Sequence, residues 1–233
     1  MLSRPEHALA RARAFCERYR DPALSALLAL ELAVIFLVEP LASMGFKQPL
    51  LVTTPLLLVL ILVLASHRLG ALIVATVALG VRVVAAFLDF RHASFAIEQV
   101  DAISAVIALL AVSWVIFGVV FGPGRITSHR VRGAIVLYLS IALIFAWLYR
   151  LLVEFVPGAF KGLSYHGGEI LALGPFTYYS LTTLTSLGVG DIVPINELAR
   201  SFTTLEAVIG QLYPAIILAR ILTLYADGRG TDR

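Results

Sequence analysis

The stretch GPFTYYSLTTLTSLGVGDIVP, residues 174–194, decides how the rest of the chain is read. Pro175 suits the first turn of a helix, because the N–H it lacks would be unpaired there anyway. Residues 175–186 then supply about 12 helical positions, near 18 Å at 1.5 Å each. Leu187-Gly188-Val189-Gly190-Asp191 cannot continue that helix well. Two alternating glycines permit positive φ at every second residue, and such a backbone turns successive carbonyls toward one side. A helix this short cannot cross a hydrocarbon core of about 30 Å. The stretch therefore reads as re-entrant, a half-helix followed by a non-helical return. Backbone of that kind is tolerated at membrane depth only where it is buried in protein or lines water.

The surrounding chain carries the membrane signature this reading needs. Its 233 residues are 60% hydrophobic and 14% charged, with mean hydropathy +0.93. Soluble domains carry about 25% charge, so ordinary soluble enzymes are excluded, as is disorder, which needs low hydrophobicity and high charge. Six apolar stretches stand out, at about 23–40, 50–65, 69–88, 100–121, 134–153 and 200–225. Each approaches the roughly 20 residues of a span. His67-Arg68 splits the second from the third into a hairpin, and Gly122-Pro123-Gly124 stops the fourth. The expected fold class is all-α integral membrane, with six transmembrane helices and the re-entrant element between the last two.

Residues 1–22 read as a basic amphipathic helix on the inner membrane face, with no apolar run of signal-peptide length. Residues 23–133 form a four-helix bundle, 134–225 the two spans flanking the re-entrant loop, and 226–233 a short cytoplasmic tail. Glycine-rich 158–169 reads as an exposed turret. With the N-terminus inside, the inner side holds eleven Lys/Arg (4, 11, 13, 18, 20, 68, 125, 130, 132, 229, 233) and the outer side four (47, 91, 161, 200). That bias places both termini in the cytoplasm of a multi-pass cell-membrane protein, with the basic inner face against membrane lipids.

TLTSLGVGDIVP resembles the pore signature of the potassium channels, whose filter is typically Thr-Val-Gly-Tyr-Gly followed by Asp. The resemblance covers roughly 134–225. Tyr178 and Tyr179 fall where the family often has an aromatic pair bracing the filter. Thr185 and Ser186 fall on its paired hydroxyls, Leu187, Gly188, Val189 and Gly190 on the carbonyl-lined stretch, and Asp191 on the acid at the outer mouth. Pro194 and Arg200 match outer-vestibule positions. Gly210 falls on the inner-helix glycine proposed as a gating hinge, and Pro214, four residues on, marks a kink or hinge. The resemblance implies a homotetrameric pore. K+ is its permeant ion, held by the Ser186, Leu187, Gly188 and Val189 carbonyls and the Ser186 hydroxyl, and no organic cofactor is implied. The half-helices would aim their negative ends at a central cavity. Val189 stands where the family has Tyr, and Leu187 where it has Val. The expected function is a potassium-selective channel. A weakly selective cation channel and a non-conducting membrane sensor or assembly protein are the alternatives.

A bundle ahead of the pore suggests voltage sensing, but that needs several arginines along the fourth span, and DAISAVIALLAVSWVIFGVVF has none. Conventional voltage gating is not expected. Arg82 is expected to pair with Asp101 or Glu39, and Glu31 to join through water. Glu206, six residues into the last span, is expected to support the filter from behind or to fasten helices together. Arg220 is expected to snorkel to headgroups. Gln211 and Tyr213 are left between the cavity and a neighbouring helix. The eight residues after Tyr225 leave regulation to membrane, filter, pH or a separate protein. The single Cys16, and five histidines without His-Glu-x-x-His spacing, offer no metal site or catalytic motif. Neither an enzyme with a small-molecule substrate nor nucleic-acid binding is expected.

Overall fold

The computed structural model describes residues 24–43, 95–122, 128–163 and 173–230, with isolated helical positions at 73, 76, 77, 80, 81 and 84. The basic segment 1–22, the second span, most of the third and Arg82 lie outside the described residues. The bundle ion pair expected for Arg82 with Asp101 or Glu39 therefore falls outside them too. Among the described residues, four helices are long and apolar enough to cross a membrane: Leu24–Leu41, Gln99–Val120, Arg130–Phe155 and Glu197–Arg220.

Helix α1 covers residues 24–43. Leu24, Leu27, Glu31, Ile35, Val38 and Glu39 are buried, a spacing of three and four that marks one helix face. A π turn, Val34–Val38, interrupts it, and the Glu39 N–H bonds back to the Val34 carbonyl. Pro40 explains the widened turn. It has no N–H to give, and its ring would clash with the carbonyl four residues back.

Helix α2, Phe95–Val120, ends at a bend over Phe121 and Gly122, as the Gly122-Pro123-Gly124 stop implies. Helix α3, Ser128–Phe155, starts six residues before the expected span. It is the centre of the chain. On one side it packs against α1 and α2, through Leu24, Leu27, Val112, Ile116, Val136 and Leu137 toward its N-terminal end. Ile35, Ala105, Leu109, Leu139 and Leu143 continue that contact along the helix. On its other side Phe145, Tyr149, Leu152 and Val153 meet Phe160, Phe176 and Tyr179. Glu31 crosses this interface, its Oε1 accepting from the Ser140 hydroxyl at 2.6 Å. Helices α1 and α2 thus rest on α3 of the same chain.

Helix α4, Gly174–Leu184, is the re-entrant half-helix, and it ends two residues earlier than the spacing suggested. Helix α5, Glu197–Gly230, is the last span. Asn196 caps it, with Oδ1 accepting from the Leu198 N–H at 2.8 Å. It runs unbroken through Pro214 and on through Gly230, so residues 226–230 are helical. Two short strands, β1 (Phe160–Lys161) and β2 (Val193–Pro194), pair antiparallel and tie the return from the loop to the end of α3.

Candidate functional site

The loop 185–191 hangs from the C-terminus of α4, and its entry is fixed by the last four carbonyls of that helix. The Leu181 carbonyl accepts from the Thr185 N–H at 3.0 Å and from the Thr185 hydroxyl at 2.7 Å. The Thr183 carbonyl accepts from the Ser186 N–H at 2.9 Å, and the Thr182 carbonyl from the Gly188 N–H at 3.1 Å. The Leu184 carbonyl accepts from the Tyr138 hydroxyl at 3.1 Å. These are the groups a helix end normally leaves orphaned. Here each has a partner, so the helix can influence a cation beyond it only through its dipole.

Beyond the cap the backbone alternates in hand. Ser186, Gly188 and Gly190 have φ of 56°, 57° and 83°. Glycine takes this conformation freely. Serine holds it at about 1–2 kcal/mol. Residues 185–191 are all exposed among the described residues of the single chain. The Leu187 and Val189 side chains are 69% and 55% exposed.

Two contacts hold the outer end. The Asp191 Oδ1 accepts from the Ile192 N–H at 3.0 Å, closing the turn. The Tyr178 hydroxyl donates to the Asp191 carboxylate. Gly162, with φ 92°, lies against the Asp191 carbonyl, so close that an added Cβ would sit 1.9 Å from that oxygen. The glycine read only as part of an exposed turret is thus a close-approach position.

The expected aromatic pair divides its labour. Tyr178 reaches Asp191, whereas Tyr179 points away from the loop, into the core. Its hydroxyl donates to Thr203 Oγ1 at 2.8 Å, since that Thr already donates to the Ala199 carbonyl. Its ring meets Tyr149 and Phe160 edge-on, with centroids 5.1 and 5.2 Å apart. Tyr179 therefore fastens α4 to α3 and α5.

Glu206 is fully buried behind α4. Its Oε2 accepts from the Tyr149 hydroxyl at 2.6 Å, and its Oε1 meets the Ser180 hydroxyl. Ser180 also lies 2.7 Å from the Ala142 carbonyl. A serine has one proton, so it cannot serve both oxygens. The count closes when Glu206 brings a proton on Oε1, gives it to Ser180, and Ser180 gives its own to Ala142. One side chain then joins α3, α4 and α5. The helix-fastening role holds, through a tyrosine and a serine that sequence reasoning did not single out. Tyr149 and Ser180 left one usable signal: polar groups in apolar helices are there to find partners.

Gly210 packs against the end of α4. A Cβ there would lie 1.9 Å from the Leu184 carbonyl oxygen. Close approach alone therefore demands glycine, independently of any hinge. Its neighbour Gln211 reaches the loop, with Nε2 donating to the Ser186 hydroxyl oxygen at 2.6 Å. Tyr213 turns the other way and donates to the Ala134 carbonyl at 2.8 Å.

Glu39 sits at the start of α4, where a Cβ on Gly174 would lie 3.7 Å from its Oε2. An acid at a helix N-terminus is electrostatically favoured. Arg220 does not reach out to headgroups. Its Nη2 donates to the Phe121 and Gly122 carbonyls at 2.7 and 2.9 Å, and its guanidinium lies 5.4 Å from the Phe121 ring centre. Arg130 Nη1 donates to the same Gly122 carbonyl at 2.8 Å. The negative end of α2 explains why both cations turn inward.

Residues 134–227, from early α3 to the end of α5, match a family model described as an ion channel. That family is one of channels, not of enzymes. The matched stretch contains the loop 185–191 together with Tyr149, Tyr178, Ser180, Glu206 and Gln211. No curated protein and no solved structure matches the chain. No group of three or more metal-ligating side chains occurs among the described residues.

Proposed function

We propose that the chain is one subunit of a homotetrameric, potassium-selective channel of the cell membrane, opened by something other than a conventional voltage sensor. The observation that carries the proposal is the alternation of left-handed backbone at Ser186, Gly188 and Gly190. Every second residue inverted means that intervening carbonyls can share one direction. A row of carbonyls is what replaces the hydration shell of a K+ ion. In this reading the carbonyls of Ser186, Leu187, Gly188 and Val189 form successive rings, and Asp191 concentrates cations at the mouth. One chain supplies one loop, exposed along its whole length, so neighbouring copies complete the pore. The absence of Lys and Arg from α2 supports voltage insensitivity. The Lys/Arg distribution supports cytoplasmic termini and a lipid-facing basic inner surface.

Val189 favours one competing reading, a weakly selective cation channel. It has no hydroxyl to tether the filter outward. The test is the reversal potential of the purified protein in a planar bilayer, K+ on one side and Na+ on the other. A value near the K+ equilibrium potential is expected. A value near zero with clear current would establish the weakly selective channel instead. Absence of current across pH, voltage and tension, from verified tetramers, would overturn conduction and leave a sensor or assembly protein.

A further inference from the structure

We infer that Gln211 is a positioning residue for the innermost ion site, setting the Ser186 hydroxyl and through it the ion preference of the pore. This rests on the tetrameric-pore reading and goes beyond it by assigning a residue outside the loop.

Ser186 is the one described non-glycine residue with positive φ. It is also the first residue after α4 whose hydroxyl is not committed to the helix, since the Thr185 hydroxyl turns back to the Leu181 carbonyl. A hydroxyl oxygen has two lone pairs and one proton. Gln211 Nε2 occupies one lone pair at 2.6 Å. The oxygen is then held in one orientation, with its second lone pair left for a cation. The register that allows this is rigid. The Gly210 backbone is pressed against the Leu184 carbonyl, so the next residue of α5 arrives beside Ser186 without freedom to slide.

Donation from an amide draws some electron density from Oγ, which opposes cation binding. Ordering outweighs it. A serine side chain has three staggered wells, and a hydroxyl left to sample them presents its oxygen to the axis only part of the time. With one productive well of three in each of four subunits, losing the restraint weakens the site by at most roughly 80-fold. The expected loss is about tenfold.

The probe is Ba2+, close to K+ in radius and twice its charge, so it reads the same oxygens more strongly. Ba2+ binding to the purified tetramer in detergent is measured by calorimetry, and Ba2+ block from the inner side in bilayers. Both are done for the wild type, Gln211→Leu, Ser186→Ala and the double variant, with tetramers verified by size. Gln211→Leu keeps the bulk and removes the donor. The expected result is about tenfold weaker Ba2+ binding in the wild-type background, with a matching loss of block. In the Ser186→Ala background the same change should have less than about a twofold effect, because there is no hydroxyl to position. An equal effect in both backgrounds, or none in either, overturns the inference while leaving the pore reading intact. Failure of wild-type tetramers to bind K+ or Ba2+ at all overturns the pore reading and this inference with it. Should Gln211→Leu not assemble, Gln211→Met replaces it, with the same two-background comparison deciding.

Discussion

Replacing Glu206 separates a carboxyl that works by shape and hydrogen bonding from one that works by charge. Glutamine reproduces the neutral arrangement atom for atom. Its Oε1 accepts from Tyr149, its Nε2 donates to Ser180, and Ser180 still donates to the Ala142 carbonyl. Glu206→Gln should therefore change stability by less than about 1 kcal/mol, on the scale of the roughly 0.6 kcal/mol typical of one hydrogen bond between membrane helices. Glu206→Ala is different. It leaves the Tyr149 hydroxyl without an acceptor in a packed core, at about 1–3 kcal/mol, and empties the space behind α4 at a similar cost. Together these come to about 2–6 kcal/mol per chain. At roughly 2–4 °C per kcal/mol for a chain of this size, the melting temperature should fall by about 4–24 °C. Thermal unfolding of the purified protein in detergent, followed by tryptophan fluorescence, measures this directly, with Trp147 in the same helix as Tyr149. If Gln is as damaging as Ala, the carboxyl acts as an anion, charge-assisted bonds being about twice as strong, and the proton count given above is wrong.

Gly162→Ala should destabilise by about 2–5 kcal/mol, the sum of left-handed strain and overpacking against the Asp191 carbonyl. Gly158→Ala, also at positive φ but facing open space, should lose only about 1–2 kcal/mol; equal losses in the same melts would mean that the close approach to Asp191 is unimportant. Arg220→Met keeps contact with the Phe121 ring but removes two hydrogen bonds to α2. The expected loss is about 2 kcal/mol after allowance for partial exposure, with faster amide exchange over 217–224. Unchanged exchange there would show that the tie to α2 holds nothing in place.

Much of this architecture is legible along the chain because its causes are local. Pro175 starts α4 where expected, the two glycines of the loop take positive φ, and the Gly122 stop ends α2. What escaped reading depends on partners far away in sequence. Nothing around Ser186 announces that its hydroxyl meets Gln211, 25 positions later. The end of α4 at Leu184 rather than 186 follows from the loop folding back to cap Thr182 and Thr183. Arg220 looks like a snorkelling residue until the free carbonyls of α2 are placed beside it. Gly210 reads as a hinge by position, yet the Leu184 carbonyl that forbids a side chain there appears only once α4 and α5 are packed. Glu206 was conspicuous as a membrane carboxylate; the identity of its partners was not, since serines and tyrosines elsewhere in the apolar helices look equally eligible.

The helices differ sharply in how far one chain can complete them. Within a single chain 56% of the apolar window of α3 is buried, against 11% of that of α5. Lipid solvates the bare apolar side of α5 at little penalty, but it cannot solvate the loop, whose exposed backbone groups would face hydrocarbon. A lone chain is therefore a marked species in the membrane. The loop and α5 remain unfinished, in the tetrameric reading, until other copies arrive. In the tetrameric reading, excess or orphan subunits would carry an uncovered polar seam that complete assemblies lack, a feature by which membrane proteolysis could tell them apart.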